Sequence, residues 1–172
     1  MEAKPCKLCS KPRYSVLSWC WTHYRARETE KRQAKLLRAK ERKDRRKEKK
    51  ENSFPVLKRR LDKVFSEHVR RKAADPNGNI TCVCCGNNLH WKQAQAMHYI
   101  SRSKLATRWS LGNVYAGDYR CNIALKGNYP AFTRFLLEEF GAGHLKNLIA
   151  EGEKIVKFTP ETLKALIKQY SL

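Results

Sequence analysis

Hydrophobic positions follow a helical rhythm in three places along the chain and nearly vanish in a fourth. Between Val56 and Ala74, Leu57, Leu61, Val64, Phe65, His68 and Val69 recur at three- and four-residue spacing, which predicts a helix with one buried face. "DPNG" at Asp75–Gly78 then reads as a turn, "NITCVC" from Asn79 as a short strand, and Ala96–Ile100 as a second strand. Tyr119–Lys126 looks like the start of a helix, and "YPAFTRFLLEEFG" is a helix with Gly141 at its C-terminal cap. The last helix opens on Thr159 as N-cap with Pro160 at its first position. Arg25–Glu51 is different, because its apolar residues are only Ala26, Ala34, Leu36, Leu37 and Ala39. Rich in helix formers and free of Gly and Pro, that run predicts a solvated helix or helix-prone linker with no core of its own. The chain thus divides into residues 1–24, a basic linker over 25–53, and an α+β domain over 54–172.

Charge narrows the function. The 37 Lys and Arg residues outnumber 16 Asp and Glu to give a formal net charge of +21. That excess is the electrostatic footprint of a polyanion binder, with nucleic acid the first candidate partner. The start lacks the apolar region of a secretory signal and no segment offers the roughly 18 apolar residues of a membrane span, so the expected location is a reducing cytoplasm, without a membrane partner. There, seven cysteines, an odd number with several in C-x2-C pairs, point to metal ligation rather than a disulfide framework.

Two clusters carry the metal signal. Cys6-x2-Cys9 and Cys20-x2-His23 bring four ligands in two pairs, each x2 spacing letting one tight turn present both members to a tetrahedral Zn²⁺. The bland alternative makes Cys20 and His23 core residues beside Trp19 and Trp21. In the second cluster Cys82 and Cys85 form a C-x-x-C-G knuckle, Cys84 is spare, and Cys121 is the third ligand. Asp118 precedes Cys121 by the same spacing, making a Cys3Asp zinc site chemically reasonable. The competing reading is a buried Cys121 next to a surface acid. Two structural zinc ions per chain are expected.

Between the halves of the second clip lie His98, Arg102 and Asn113, and Asn122 follows Cys121 directly. This order resembles the HNH, or ββα-metal, nuclease motif, and implies an HNH-like ββα unit stapled by zinc, with flanking helices and an N-terminal zinc knuckle. More closely, the chain resembles the phage NinG/Rap recombination proteins, structure-directed DNA endonucleases that act on branched intermediates such as Holliday junctions and D-loops. "CKLC", "CWTH", "MHYISR", "GNVYAGDYRCN", "KGNYPAF" and "FTPETLKALIKQY" carry that resemblance, by their shared order over nearly the whole chain.

The resemblance implies His98 as general base, Asn113 as the residue that braces the loop and orients the imidazole, and Asn122 as a ligand of catalytic Mg²⁺ or Mn²⁺. Arg102 would hold a phosphate. Lys104, Arg108 and Lys126, with Arg38, Arg42 and Arg45 of the charged run, are the other candidate DNA contacts. The family's Asp-Ala-Gly-His stretch reads Gln95-Ala96-Met97-His98 here, and Asp118 stands at a usual cysteine position. A zinc-stabilised binder of branched DNA that does not cut is therefore the alternative, and an RNA or ribosome accessory protein is a third reading that the charge supports equally. A twofold dimer would suit paired cuts across a junction, although no heptad pattern requires one.

Overall fold

The computed structural model describes residues 4–12 and 18–171, arranged as two compact units, Met1–Glu51 and Asn52–Leu172. In the first unit, β1 (Pro5–Cys6) and β2 (Cys9–Pro12) form a small antiparallel hairpin, followed by the long helix α1 (Trp21–Glu51). No side chain of α1 is buried, as its sequence predicts. The helix is held by its own backbone and by exposed pairs such as Glu28–Lys31 and Lys47–Glu51, each worth only a few tenths of a kcal/mol, about 0.2–0.5.

The second unit is built on α2 (Phe54–Lys72), with Pro55 in its first turn. Its stripe of Leu57, Leu61, Phe65 and Val69 is buried against Leu163, Ile167 and Tyr170 of α4 (Pro160–Tyr170). Phe65 meets Tyr170 edge to face at 4.8 Å. Burying each such side chain contributes about 1.5–3 kcal/mol, so the α2–α4 pair is a principal source of the unit's stability. Thr159 caps α4 as expected, its hydroxyl accepting from the Thr162 N–H at 3.2 Å.

After α2 the Asp75 carboxylate accepts from the N–H groups of Asn77 and Asn79, closing the predicted turn around Gly78 (φ +82°). Three-residue strands β3 (Asn79–Thr81) and β4 (Asn88–His90) pair antiparallel, as do β5 (Gln95–His98) and β6 (Val114–Gly117). The strand expected over "NITCVC" is shorter than its apolar run because the chain turns into the cysteine knuckle at Cys82. The strand expected at Ala96–Ile100 begins at Gln95 and ends at His98. Alternation along β5 sends Met97 into a core with Phe132 and Leu136, and Ala96 toward the α2 core.

Met97 is fully buried and lies over Gly117. A Cβ at 117 would fall 2.0 Å from the Met97 sulfur and 3.3 Å from Cys82 Sγ. The helix expected from Tyr119 is instead one π-helical turn, Arg120–Ala124. It stops because Lys126, Gly127 and Asn128 all adopt positive φ, a run that no right-handed helix continues through. The helix expected to end at Gly141 is α3 (Tyr129–Gly152), in which Gly141 (φ +77°, ψ 168°) is a break between two helical segments. Leu148, beyond that break, joins the Phe132–Leu136 core and accounts for the continuation.

Candidate functional site

Each metal cluster is assembled by local turns. In the first, the hairpin brings Cys6 and Cys9 into register, and Cys20 and His23 lie at the start of α1. Residues 13–17 of the intervening loop lie outside the described residues. Cys6 Sγ is 3.4 Å from His23 Nδ1, Cys20 Sγ is 3.3 Å from the same nitrogen, and Cys9 and Cys20 sulfurs are 3.7 Å apart. Tetrahedral Zn²⁺ with its ordinary bond lengths sets neighbouring ligand atoms about 3.5–3.8 Å apart, so the spacing fits that ion. Burial opposes ionisation of Cys6, yet the backbone of Cys20 and Leu8 and the His23 ring bring its thiol down to about 6.

In the second cluster, Cys82, Cys85, Asp118 and Cys121 place one ligand atom each within 4.8 Å of all the others. The first pair sits on a knuckle closed by the Gly86 N–H donating to the Cys82 carbonyl at 2.9 Å, with Gly86 at φ +73°. Of the second pair, Cys121 sits on the π-helical turn and Asp118 just before it. Asp118 there has two tasks, since Oδ1 accepts from the Cys121 N–H at 2.7 Å and Oδ2 lies 3.2 Å from Cys85 Sγ. Burial acts to raise its carboxyl, but Cys121 and Cys85 hold it below the usual range, as a metal-binding carboxylate requires. A hydrogen bond from Cys84 draws the Cys82 thiol down to about 5, while burial pushes Cys85 up to about 12. Both clusters could hold structural zinc; Cys84 belongs to neither tetrad.

His98 stands at the end of β5, and its Nε2 is 3.0 Å from the Arg108 carbonyl. A carbonyl only accepts, so Nε2 carries hydrogen and the neutral ring keeps its lone pair on Nδ1. Burial, opposed by hydrogen bonding to the Arg108 and Ala96 backbone and helped by the Arg102 and Arg108 charges, lowers His98 to about 4. The ring is therefore neutral at physiological pH.

Asn113 is fully buried and closes the loop over residues 100–107: Oδ1 accepts from the Ile100 N–H at 2.6 Å, and Nδ2 donates to the carbonyls of Ile100 and Thr107. It braces the loop, whereas the imidazole is held by the Arg108 carbonyl. His98 opens onto a cavity of about 240 Å³ with Asp62, Lys63, Ser66, Arg102 and Trp109 in its walls.

Arg102 is largely exposed there and pairs with Asp62 at 3.4 Å. Arg108 requires a correction. It is buried, and its guanidinium makes a two-pronged pair with Asp62 at 2.8 and 2.7 Å and donates to the Arg102 carbonyl, so it is a structural cation rather than a DNA contact. Lys104 is exposed but paired with Glu153 at 3.1 Å, and Lys126 is exposed. Arg38, Arg42 and Arg45 are exposed on α1.

Asn122 lies toward the other face of β5, where its Nδ2 donates to Gln95 Oε1. The structure thus joins Asn122 to Gln95 and not to His98. Asp62, which also accepts from Trp109 Nε1 at 2.9 Å, is the site residue that sequence reasoning missed. Its signal was slight, a lone acid in "KRRLDKVF" beside the apolar stripe of α2.

Residues 2–172 match the family described as Bacteriophage Lambda NinG protein. The chain belongs to the NinG family. No curated protein and no solved structure matches the chain. The NinG match spans both cysteine clusters, the basic helix and the His98 loop together. Among the described residues, no helix is long and apolar enough to cross a membrane.

Proposed function

We propose that this protein is a structure-selective DNA endonuclease acting on branched recombination intermediates in the host cytoplasm. The observation that supports this reading best is the neutral imidazole of His98 at the lip of a cavity that also holds the exposed Arg102. In the proposed reaction His98 Nδ1 accepts a proton from water, and the water oxygen bonds to phosphorus. The bond from phosphorus to the leaving sugar oxygen breaks, and that oxygen takes a proton from solvent. Arg102 faces the phosphate charge as it grows. The antiparallel β5–β6 pair with the second cysteine cluster beside it supports an HNH-like reading of the scaffold for this chemistry. Exposed cations on α1 add affinity through phosphates without selecting a sequence.

A catalytic Mg²⁺ or Mn²⁺ would stabilise charge on the phosphate when bound. The donors at Asn122 and Gln95 are neutral amides already hydrogen-bonded to each other, a poor match for hard divalent cations that favour carboxylates. The same pair favours a second reading, a binder of branched DNA that holds its substrate without cutting.

Incubating the purified protein with labelled four-way junction, Y-shaped and linear DNA, with Mg²⁺, Mn²⁺ or chelator, tests both. Cleavage of branched DNA is expected, and His98→Ala should slow it by about a hundredfold to ten-thousandfold while junction affinity and zinc content hold. Cutting at an unchanged rate by His98→Ala would remove the assignment from this site. Tight junction binding without cleavage under every condition would establish the second reading.

A further inference from the structure

Several cations gather around one indole at the far end of α2. The Arg71 guanidinium carbon is 4.4 Å from the centre of the Trp91 ring, that of Arg70 is 5.6 Å away, and Lys92 Nζ is 5.8 Å away. The His90 ring lies beside the indole at 5.8 Å. Of these cations Arg71 alone has an acid against it, Glu67 at 2.8 Å; among the described residues no acid pairs with Arg70 or Lys92. Such a cluster repels itself, and a polyanion relieves the repulsion.

The rings are also held in place. Gly78 passes beneath them with a positive φ, and a Cβ there would fall 2.8 Å from His90 Nε2 and 3.4 Å from Trp91 Cδ1. Arg70 fixes the strand end by donating to the carbonyls of Trp91 and Ala94, at 3.2 and 3.4 Å. Trp91 itself is half-buried against the Ile80, Ala94 and Ala116 cluster.

This patch and the His98 cavity lie along the same helix, α2. Asp62, Ser66 and Arg70 follow one another at four-residue spacing on α2; the first two wall the cavity, and Arg70 bonds to the Trp91 carbonyl. Eight residues of helix span about 12 Å, so an extended strand leaving the cavity reaches the indole within a few nucleotides. Phosphates alone would need only the cations. An aromatic face among them adds a surface on which an unpaired base stacks, which a base inside a duplex cannot use.

Building on the endonuclease reading, we propose that this row is a track for the unpaired stretch of DNA at a branch. A base stacks on the Arg71–Trp91 pair beside His90, and the neighbouring phosphates lie on Lys92 and Lys63. The track makes the protein prefer exposed single strand next to the point of attack.

The test uses the full-length, zinc-loaded protein with fluorescein-labelled oligo(dT) and a duplex of equal length, read by anisotropy. Trp91→Leu should weaken oligo(dT) binding by roughly tenfold or more and leave duplex binding within about twofold. Trp91→Phe should retain most of the affinity, and Lys92→Glu, at an exposed position, should weaken oligo(dT) binding without changing the melting temperature. Ultraviolet crosslinking of bromouracil-substituted oligo(dT) should label the peptide containing Trp91. Equal losses on single strand and duplex, or crosslinks confined to other peptides, would overturn the track. The nuclease reading fails separately. A wild-type protein that cuts no DNA but shows the Trp91→Leu loss keeps the track, whereas normal cutting with unaltered oligo(dT) binding by Trp91→Leu discards the track alone.

Discussion

Asp62→Ala should destabilise the second unit severely, although Asp62 is a ligand in neither metal cluster. The carboxylate is 18% exposed and faces the Arg108 side chain, which is 9% exposed. Removing it leaves the guanidinium with the Arg102 carbonyl and the face of Trp109, and leaves Trp109 Nε1–H without its acceptor. Stripping one partner from a buried ion pair costs about 3–5 kcal/mol. The adjoining cavity admits water to the orphaned cation, which favours the lower end, about 3 kcal/mol. For a unit of about 120 residues, unfolding entropy near 2.1 cal/mol/K per residue converts that cost into a fall of roughly 12 °C in Tm.

Melts at saturating zinc, followed by near-UV circular dichroism, would register the change through Trp109 and its edge-to-face partner Phe158. Asp62→Leu combined with Arg108→Met should melt closer to wild type than Asp62→Ala does, because the double change leaves no buried charge unpaired. The pH dependence has a definite sign. Burial alone would raise the Asp62 carboxyl, but Arg108, Trp109 and Arg102 hold it below its ordinary 3.8. Its contribution is therefore complete above that value and is lost as pH falls through the lower folded value, so the gap between wild type and Asp62→Ala should close in acid. A Tm within about 2 °C of wild type at neutral pH would refute the reasoning, since a loss of about 3 kcal/mol cannot hide in so small a shift.

Elemental analysis should find two zinc ions per chain; Asp118→Ala should lose one, and Asp118→Cys should retain it or bind it more tightly. One ion or none in the wild type would undo the pairing of ligands. Neutralising Arg38, Arg42 and Arg45 on α1 should weaken binding to junction and duplex in similar proportion and flatten the salt dependence, by a slope of roughly one for each phosphate no longer neutralised. A selective loss of junction binding would make α1 a reader of DNA shape instead. Gln95→Asp puts a carboxylate beside Asn122 and should tighten Mn²⁺ binding measured by calorimetry. No gain would mean that this pair is not an ion position.

What could be read from the sequence depended on how local its cause was. The α2 stripe was legible because Leu57, Leu61, Phe65 and Val69 repeat the helical period, and α4 because Thr159 and Pro160 mark its start. The metal tetrads were legible because each pair is built by a single tight turn. Strands β4 and β6 were not, since three or four residues are too few to establish an alternation. Arg108 was misread for a different reason. An arginine in a basic loop resembles a phosphate ligand until its acid, 46 residues earlier in the chain, is brought against it. The separation of Asn122 from His98 likewise depended on which way β5 faces its two cores, something no local motif encodes.

The close approach of Met97 to Gly117 limits the order in which this protein can change. With Met97 in place, any side chain at 117 meets a buried sulfur packed with Phe132, Leu136 and Cys82, so a substitution there requires the methionine to move. Replacing Met97 with glycine first would open a void into which a residue at 117 could grow. The reverse order passes through a chain with two side chains competing for one space. The two positions are therefore coupled, since a larger residue at 117 requires Met97 to shift or to shrink.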